Sequence, residues 1–250
     1  MASSSEPVQD NEDSDEIDLS SLNISDYGDF SRLLYMNNQG MLNKGDIVIV
    51  LGDAGLNYDN GRLDYGRKTL VSSLPCEVFC IHGNHERRPH TVNGYEMTDY
   101  HGGKVWAQAE YPNISFAKDG EIYDFAGYSC LVIGGAYSVD KFYRLFNHMP
   151  WFANEQPDDE IKAYVEKQLE KANYKVDVVL SHTCPYKYEP SEVFLKNIDQ
   201  SNVDKSTELW LDEIENKLDY KKWYCGHFHT EKKIDKIQFM FEEVEEFGIK

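Results

Sequence analysis

No stretch of this chain is long and apolar enough to cross a bilayer as a helix, and no basic region followed by an apolar one opens it. Positive charge is scarce: 25 Lys and Arg stand against 44 Asp and Glu, a formal charge of −19. Phosphates are repelled by such a surface, which excludes nonspecific binding to nucleic acid or to an anionic membrane. Phosphate chemistry is not excluded, because bound dications invert the local field. A second cysteine pair is also missing. Cys76 and Cys80 are spaced C-x3-C, but nothing completes a zinc knot. The five cysteines are an odd number, and most of them lie in or beside apolar runs, as expected of buried free thiols in a reducing compartment. A cytoplasmic protein is the expectation. No internal repeat is visible.

What is present fits one large domain of 250 residues. Residues 1–19 are Ser-, Asp- and Glu-rich with almost no large apolar side chains. They cannot bury enough surface to offset their ordering entropy, so a disordered acidic tail is expected there, with a single domain over residues 20–250. Asp29 to Met36 suits a short amphipathic helix. Strands are expected over Asp46 to Leu51, Glu77 to Ile81, Asn113 to Ala117, Glu121 to Phe125, Ser129 to Ile133 and Val176 to Leu180. Asp158 to Asn173 and Asp204 to Leu218 read as helices, the first by its caps and its Ile161, Tyr164, Val165 and Leu169 stripe. Two late strands, Lys222 to Cys225 and Ile234 to Phe241, read as an antiparallel pair. The pattern is a sheet-rich α/β fold with helices outside and mixed sheets.

Four of these apolar runs stop in a similar way. Leu51-Gly52-Asp53, Ile81-His82-Gly83-Asn84-His85-Glu86, Leu180-Ser181-His182 and Cys225-Gly226-His227-Phe228-His229 each leave a strand through a Gly or Ser. Each then presents an Asp, Asn or His. The carboxyl ends of strands in an open α/β sheet are where ligands bind. Any one of these motifs alone reads as a turn. Together they read as one oxygen/nitrogen metal site, suited to Mn, Fe, Zn or Ni rather than to a thiolate-loving metal, with Mn favoured. His82, His90, His101 and His148 stand outside the pattern and read as structural.

In this order the motifs resemble the successive signatures of the calcineurin-like metallophosphoesterases, over about residues 25 to 242. The resemblance implies a four-layer α/β/β/α sandwich of two mostly mixed sheets flanked by helices. It implies one or two divalent metal ions and a phosphoester substrate, a phosphomonoester or phosphodiester hydrolysed by metal-activated water. Carried over by motif, Asp53 would bridge both metals. Asn84, His182 and His227 would complete one, and His229 would ligate the other. His85 would touch the substrate phosphate and assist the leaving group.

The family opens with a strand ending in Asp-x-His-Gly, and here the chain departs. In Ser25-Asp26-Tyr27-Gly28, Ser25 stands for the Asp and Tyr27 for the His, leaving Asp26 one residue late as a candidate ligand. Leu56 and Asn57 replace a frequent Asp and Arg after Asp53. A further loop, Gly134 to Arg144, follows a buried strand and carries Lys141 and Arg144, which could contact phosphate or simply pair with nearby carboxylates. Two functions therefore stand side by side. One is an active metal-dependent phosphoesterase. The other is a weak or inactive relative kept as a metal-stabilised binding module.

Overall fold

The computed structural model describes residues 30–194 and 200–249. The acidic tail, the degenerate first motif with Asp26 and the strand expected to precede it all lie outside the described residues.

Two mixed sheets form the centre. The first runs in the order β1 (Ile47–Val50), β2 (Glu77–Cys80), β5 (Ile114–Ala117), β4 (Gly103–Gln108), β3 (Tyr95–Tyr100). The second runs β10 (Lys232–Ile234), β11 (Ile237–Phe239), β9 (Lys222–Cys225), β8 (Val178–Ser181), β7 (Tyr128–Ile133), β6 (Ile122–Phe125).

Period-two alternation decides which side chains go where. In β2, Val78 and Cys80 turn outward to pack with Leu33 of helix α1 (Ser31–Asn38) and with Val71 of helix α2 (Arg62–Ser72). Phe79 and the adjoining Ile81 turn inward. In β7 and β8, Cys130, Val132, Val178 and Leu180 meet them from the other sheet. Leu131, Ile133 and Val179 face the opposite way, onto Val165 and Leu169 of helix α4 (Asp159–Lys171) and Leu211 and Ile214 of helix α5 (Ser206–Glu215). The result is helix, sheet, sheet, helix: the four-layer α/β/β/α sandwich. Helix α4 starts where expected because the Asp158 carboxylate accepts from Ile161 N at 2.8 Å and two acids occupy the first turn.

The late strands correct one expectation. β9 and β11 pair in parallel, not antiparallel, and the antiparallel partner of β11 is the short β10. The chain doubles back one strand earlier than the apolar pattern suggests, through Asp235 in the left-handed region (φ 55°). Several elements leave little pattern to read. Helix α2 buries the charged Asp64 and Lys68 together with its apolar residues, which blurs its stripe. Asp64 accepts from the backbone N–H groups of Tyr58 and Asn60, and Lys68 donates to Gln108. Strand β3 is mostly exposed and shows no alternation. Helix α3 (Lys141–Phe146), in the segment read as a loop, buries none of its residues. None of the helices over the described residues is long and apolar enough to cross a membrane.

Candidate metal and phosphate site

Parallel neighbours bring the four motifs together. Val50 of β1 lies in register with Cys80 of β2, and Ser181 of β8 with Cys225 of β9, so the carboxyl ends stand side by side within each sheet. Backbone bonds cross between them: Gly226 N donates to His182 O at 2.9 Å, and Ile81 N to Val50 O at 2.8 Å. Below His182, the buried Trp223 indole N–H donates to Ser181 Oγ at 2.7 Å, tying the end of β8 to β9.

The turns beyond these strand ends are tight enough to need special backbone. Gly52 has φ 98°, and a Cβ there would overlap the His182 ring. A Cβ on Gly83 would overlap the backbone N and the carboxylate of Asp53. Asp53, His227 and His229 themselves have φ of 53°, 67° and 49°, a strained region that Asp and His tolerate better than most residues.

Asn84 lies at the centre of the cluster. Its Oδ1 is 2.8 Å from His182 Nε2 and 3.0 Å from His227 Nδ1. His182 Nε2 is 3.5 Å from Asp53 Oδ2, and the rings of His182 and His227 have centroids 5.1 Å apart. Asp53 Oδ1 accepts from His85 N at 2.9 Å. His182 Nδ1 donates to Leu51 O at 2.7 Å, which leaves Nε2 to face Asn84 and Asp53, the outer-shell arrangement typical of metal-ligating imidazoles.

The protonation states follow from this crowding. Burial works against the Asp53 carboxylate, but the charge and hydrogen bond of His182, with help from His85, hold its pKa well below the usual range. Burial likewise opposes a charged His182, yet Asp53 raises its pKa. Burial lowers the pKa of His227, and the charge of His182 adds to that. His85 is also lowered, first by burial and further by the Arg144 charge, with Asp53 opposing. Oxygens of Asn84 and Asp53 thus lie 2.8 and 3.5 Å from His182 Nε2, with His227 Nδ1 3.0 Å from the same Asn84 oxygen. An all-oxygen/nitrogen donor set of this kind fits a borderline divalent metal. Among the described residues, no three His, Cys, Asp or Glu side chains form a metal-holding group by themselves, so the reading of this cluster as a metal site counts the Asn84 amide oxygen among the donors.

Beside the cluster is an open cleft of about 360 Å³, lined by Asp53, Tyr58, Arg67, His85, Arg144 and His229 among others. His229 stacks on Phe241, with centroids 4.7 Å apart. Arg144 reaches the cleft from α3: its Nη2 is 3.3 Å from His85 Nε2, and its Nε donates to Asp140 at 2.7 Å. Lys141 does not line the cleft. Its ammonium lies over the Trp151 ring, 4.1 Å from the centroid. A larger open concavity of about 560 Å³ lies between α2 and Tyr111, but it carries hydroxyls and one Glu rather than a cluster capable of this chemistry.

Several residues here carry no mark in the sequence motifs. Tyr58 and Arg67 reach the cleft from the turn and helix after Asp53, and Arg67 donates to Gly55 O at 2.8 Å. Glu86 ends its motif with no role that the pattern assigns, and its carboxylate accepts from Gly83 N at 2.7 Å, bracing the turn. Ser138 accepts from Asn84 at 2.9 Å and donates in turn to Glu155 at 2.5 Å. Ser138 sits in the glycine-led loop after β7, a local signal that could have found it, whereas nothing local marks Glu155.

No curated protein matches the chain. The sequence model of one family, described as calcineurin-like phosphoesterase, matches residues 18–231, most of the chain and all four strand-end motifs. With the two-sheet sandwich and this cluster at its strand ends, the chain belongs to the calcineurin-like phosphoesterases.

Proposed function

We propose that this chain is a metal-dependent hydrolase of a phosphomonoester or phosphodiester, working at the cleft beside Asn84. The observation that carries the reading is the convergence of Asn84 Oδ1, His182 Nε2, His227 Nδ1 and Asp53 Oδ2 next to a cleft that also holds His85 and Arg144. Asp53, Asn84, His182 and His227 would hold one divalent ion. Asp53 and His229, with Asp26 as a further candidate, would hold a second. When bound, such ions acidify water and relieve charge on the phosphoryl oxygens, and Mn is the favoured choice over Fe, Zn or Ni. The overall negative charge makes these ions, with Arg144, the natural attraction for a phosphate.

The chain's own residues supply the rest. Arg144 Nη2 and Asn84 Nδ2 both face His85 Nε2, at 3.3 and 3.2 Å, so the neutral ring keeps its proton on Nδ1 and its lone pair on Nε2. A bound phosphoester offers these two donors a better acceptor, and Nε2, released from them, can take a proton from solvent water and pass it to the departing oxygen. Arg144 holds a phosphoryl oxygen as a charge-assisted donor. A cytoplasmic setting suits the five cysteines, all buried and free.

The second reading, a metal-stabilised binding module with little activity, draws on Ser25 and Tyr27 in place of the usual Asp and His. Hydrolysis of aryl phosphomonoesters and phosphodiesters by Mn-reconstituted protein separates the two. Turnover that vanishes with chelator and returns with Mn supports the hydrolase. Metal binding without turnover on either ester class supports the module.

A further inference from the structure

The Asn84 side chain could face the cluster with either end. Amide oxygen and nitrogen are nearly the same size, so shape does not choose between them and the hydrogen-bond network must. Asn84 is only 2% exposed, and water cannot mask a wrong choice. One of its two N–H groups points toward His85 Nε2 and the other donates to Ser138 Oγ at 2.9 Å. Ser138 has a single hydroxyl proton, which goes to Glu155 Oε2 at 2.5 Å. Its oxygen can therefore only accept from Asn84. Glu155 is held in turn by Ser138 N, which donates to Oε1 at 3.1 Å. Ser138 and Glu155 are 1% and 3% exposed. The residue before Glu155 is tied as well, since Arg88 Nε donates to Asn154 O at 2.8 Å. Turning the amide over would set Oδ1 against the lone pairs of Ser138 and His85, and would aim N–H groups at the point where the imidazoles converge.

We propose that Ser138 and Glu155 are positioning residues that hold the Asn84 amide with its oxygen toward His182 and His227, and so set how tightly this chain binds its divalent ion. The inference rests on Asn84 being a metal ligand. It assigns a task to a loop residue that touches only the nitrogen end of the Asn84 amide, and to a residue between α3 and α4 that acts through it.

The test is Mn affinity, measured by calorimetric titration of metal-free protein for the unmodified chain, Ser138→Ala, Asn84→Ala and the double variant. Ser138→Ala removes the hydroxyl but keeps the backbone bond from residue 138 to Glu155, so the loop stays tethered. Loss of an outer-shell partner of a metal ligand typically weakens binding about 10- to 100-fold. A loss of that size is expected for Ser138→Ala, with recovery to within a few-fold in Ser138→Thr. In the Asn84→Ala background the same change should cost nothing further, whereas a purely structural role would cost the same in both backgrounds. Unchanged affinity in Ser138→Ala, or an equal loss in both backgrounds, overturns the proposal while leaving Asn84 a ligand. Unchanged affinity in Asn84→Ala alone overturns the ligand reading itself. Should Ser138→Ala not fold, Glu155→Gln carries the same cycle. It keeps the volume, but its amide can donate to Ser138, so the direction of the chain of bonds is no longer enforced and the same loss is expected.

Discussion

Arg144 Nη2 lies 3.3 Å from His85 Nε2, joining the short helix α3 to the turn after β2 across 59 positions of sequence. The guanidinium does two things at once. It offers a donor to any anion in the cleft, and its charge helps keep the His85 ring neutral. Arg144→Ala should raise KM for a phosphoester about tenfold, the scale of one lost charge-assisted bond. It should also raise the pKa of His85, read from the ring resonances in a pH titration. An unchanged KM would place Arg144 outside substrate contact.

His85→Ala should leave metal content nearly unchanged and lower turnover by about 10²-fold or more, as for a lost general acid. Elemental analysis beside steady-state rates checks this. Metal lost together with activity would make His85 a ligand instead.

The tight cluster and the degenerate first motif should give unequal ions. One Mn should survive dialysis and the second should be loose, so that turnover climbs well past the first equivalent of added metal. Ser25→Asp with Tyr27→His should tighten the second ion and raise the rate. Two ions retained by the unmodified chain would point to Asp26 as a working substitute, and no gain from the double substitution would favour the non-catalytic reading.

Gly83→Ala should damage the site without touching a proposed ligand. The new Cβ would overlap backbone as well as carboxylate atoms of Asp53, so the turn itself must move. Overpacking of this sort costs about 1–3 kcal/mol. A lowered melting temperature with weakened Mn binding is expected, and Gly66→Ala, where a Cβ meets nothing within 4 Å and φ is ordinary, is a comparison for general effects of the substitution.

Stability should depend on pH through Glu208, whose carboxyl is buried beside Thr183. Burial raises its pKa from 4.5 to about 7, with the Thr183 hydrogen bond only partly opposing. The folded state therefore binds a proton more readily than the unfolded chain. This contribution is fully present below about pH 4.5 and is lost as pH rises through about 7. Glu208→Gln should stabilise the metal-free protein at pH 8 by about 3 kcal/mol and change little at pH 4.5. Denaturant midpoints at the two pH values measure it. Equal effects at both would mean that the carboxyl is not the titrating group.

Residues whose neighbours are set by strand register are readable without coordinates. Asp53, Asn84, His182 and His227 each leave an apolar run through a Gly or Ser, and parallel pairing sets the ends of β1 and β2, and of β8 and β9, side by side within their sheets. Periodicity likewise marks most of the strands and the helices α4 and α5, because each has a buried face that must be apolar at a fixed spacing. The parallel pairing of β9 with β11 escapes the sequence for a related reason. Spacing shows that two strands are close in the chain, but a three-residue strand such as β10 is too short to leave a pattern, and inserting it reverses the direction of the next strand.

What the sequence determined by itself is thus the sandwich and the gathering of Asp53, Asn84, His182 and His227 at its strand ends, since both arise from local patterns repeated along the chain. Tertiary structure alone decided the reach of Arg144 into the cleft, the withdrawal of Lys141 onto Trp151, and the Glu155–Ser138–Asn84 chain of bonds. Each depends on a single side chain from an irregular segment meeting a distant partner. Such a meeting has no period along the sequence, and it is fixed only when the packed sheets set the distance between the two.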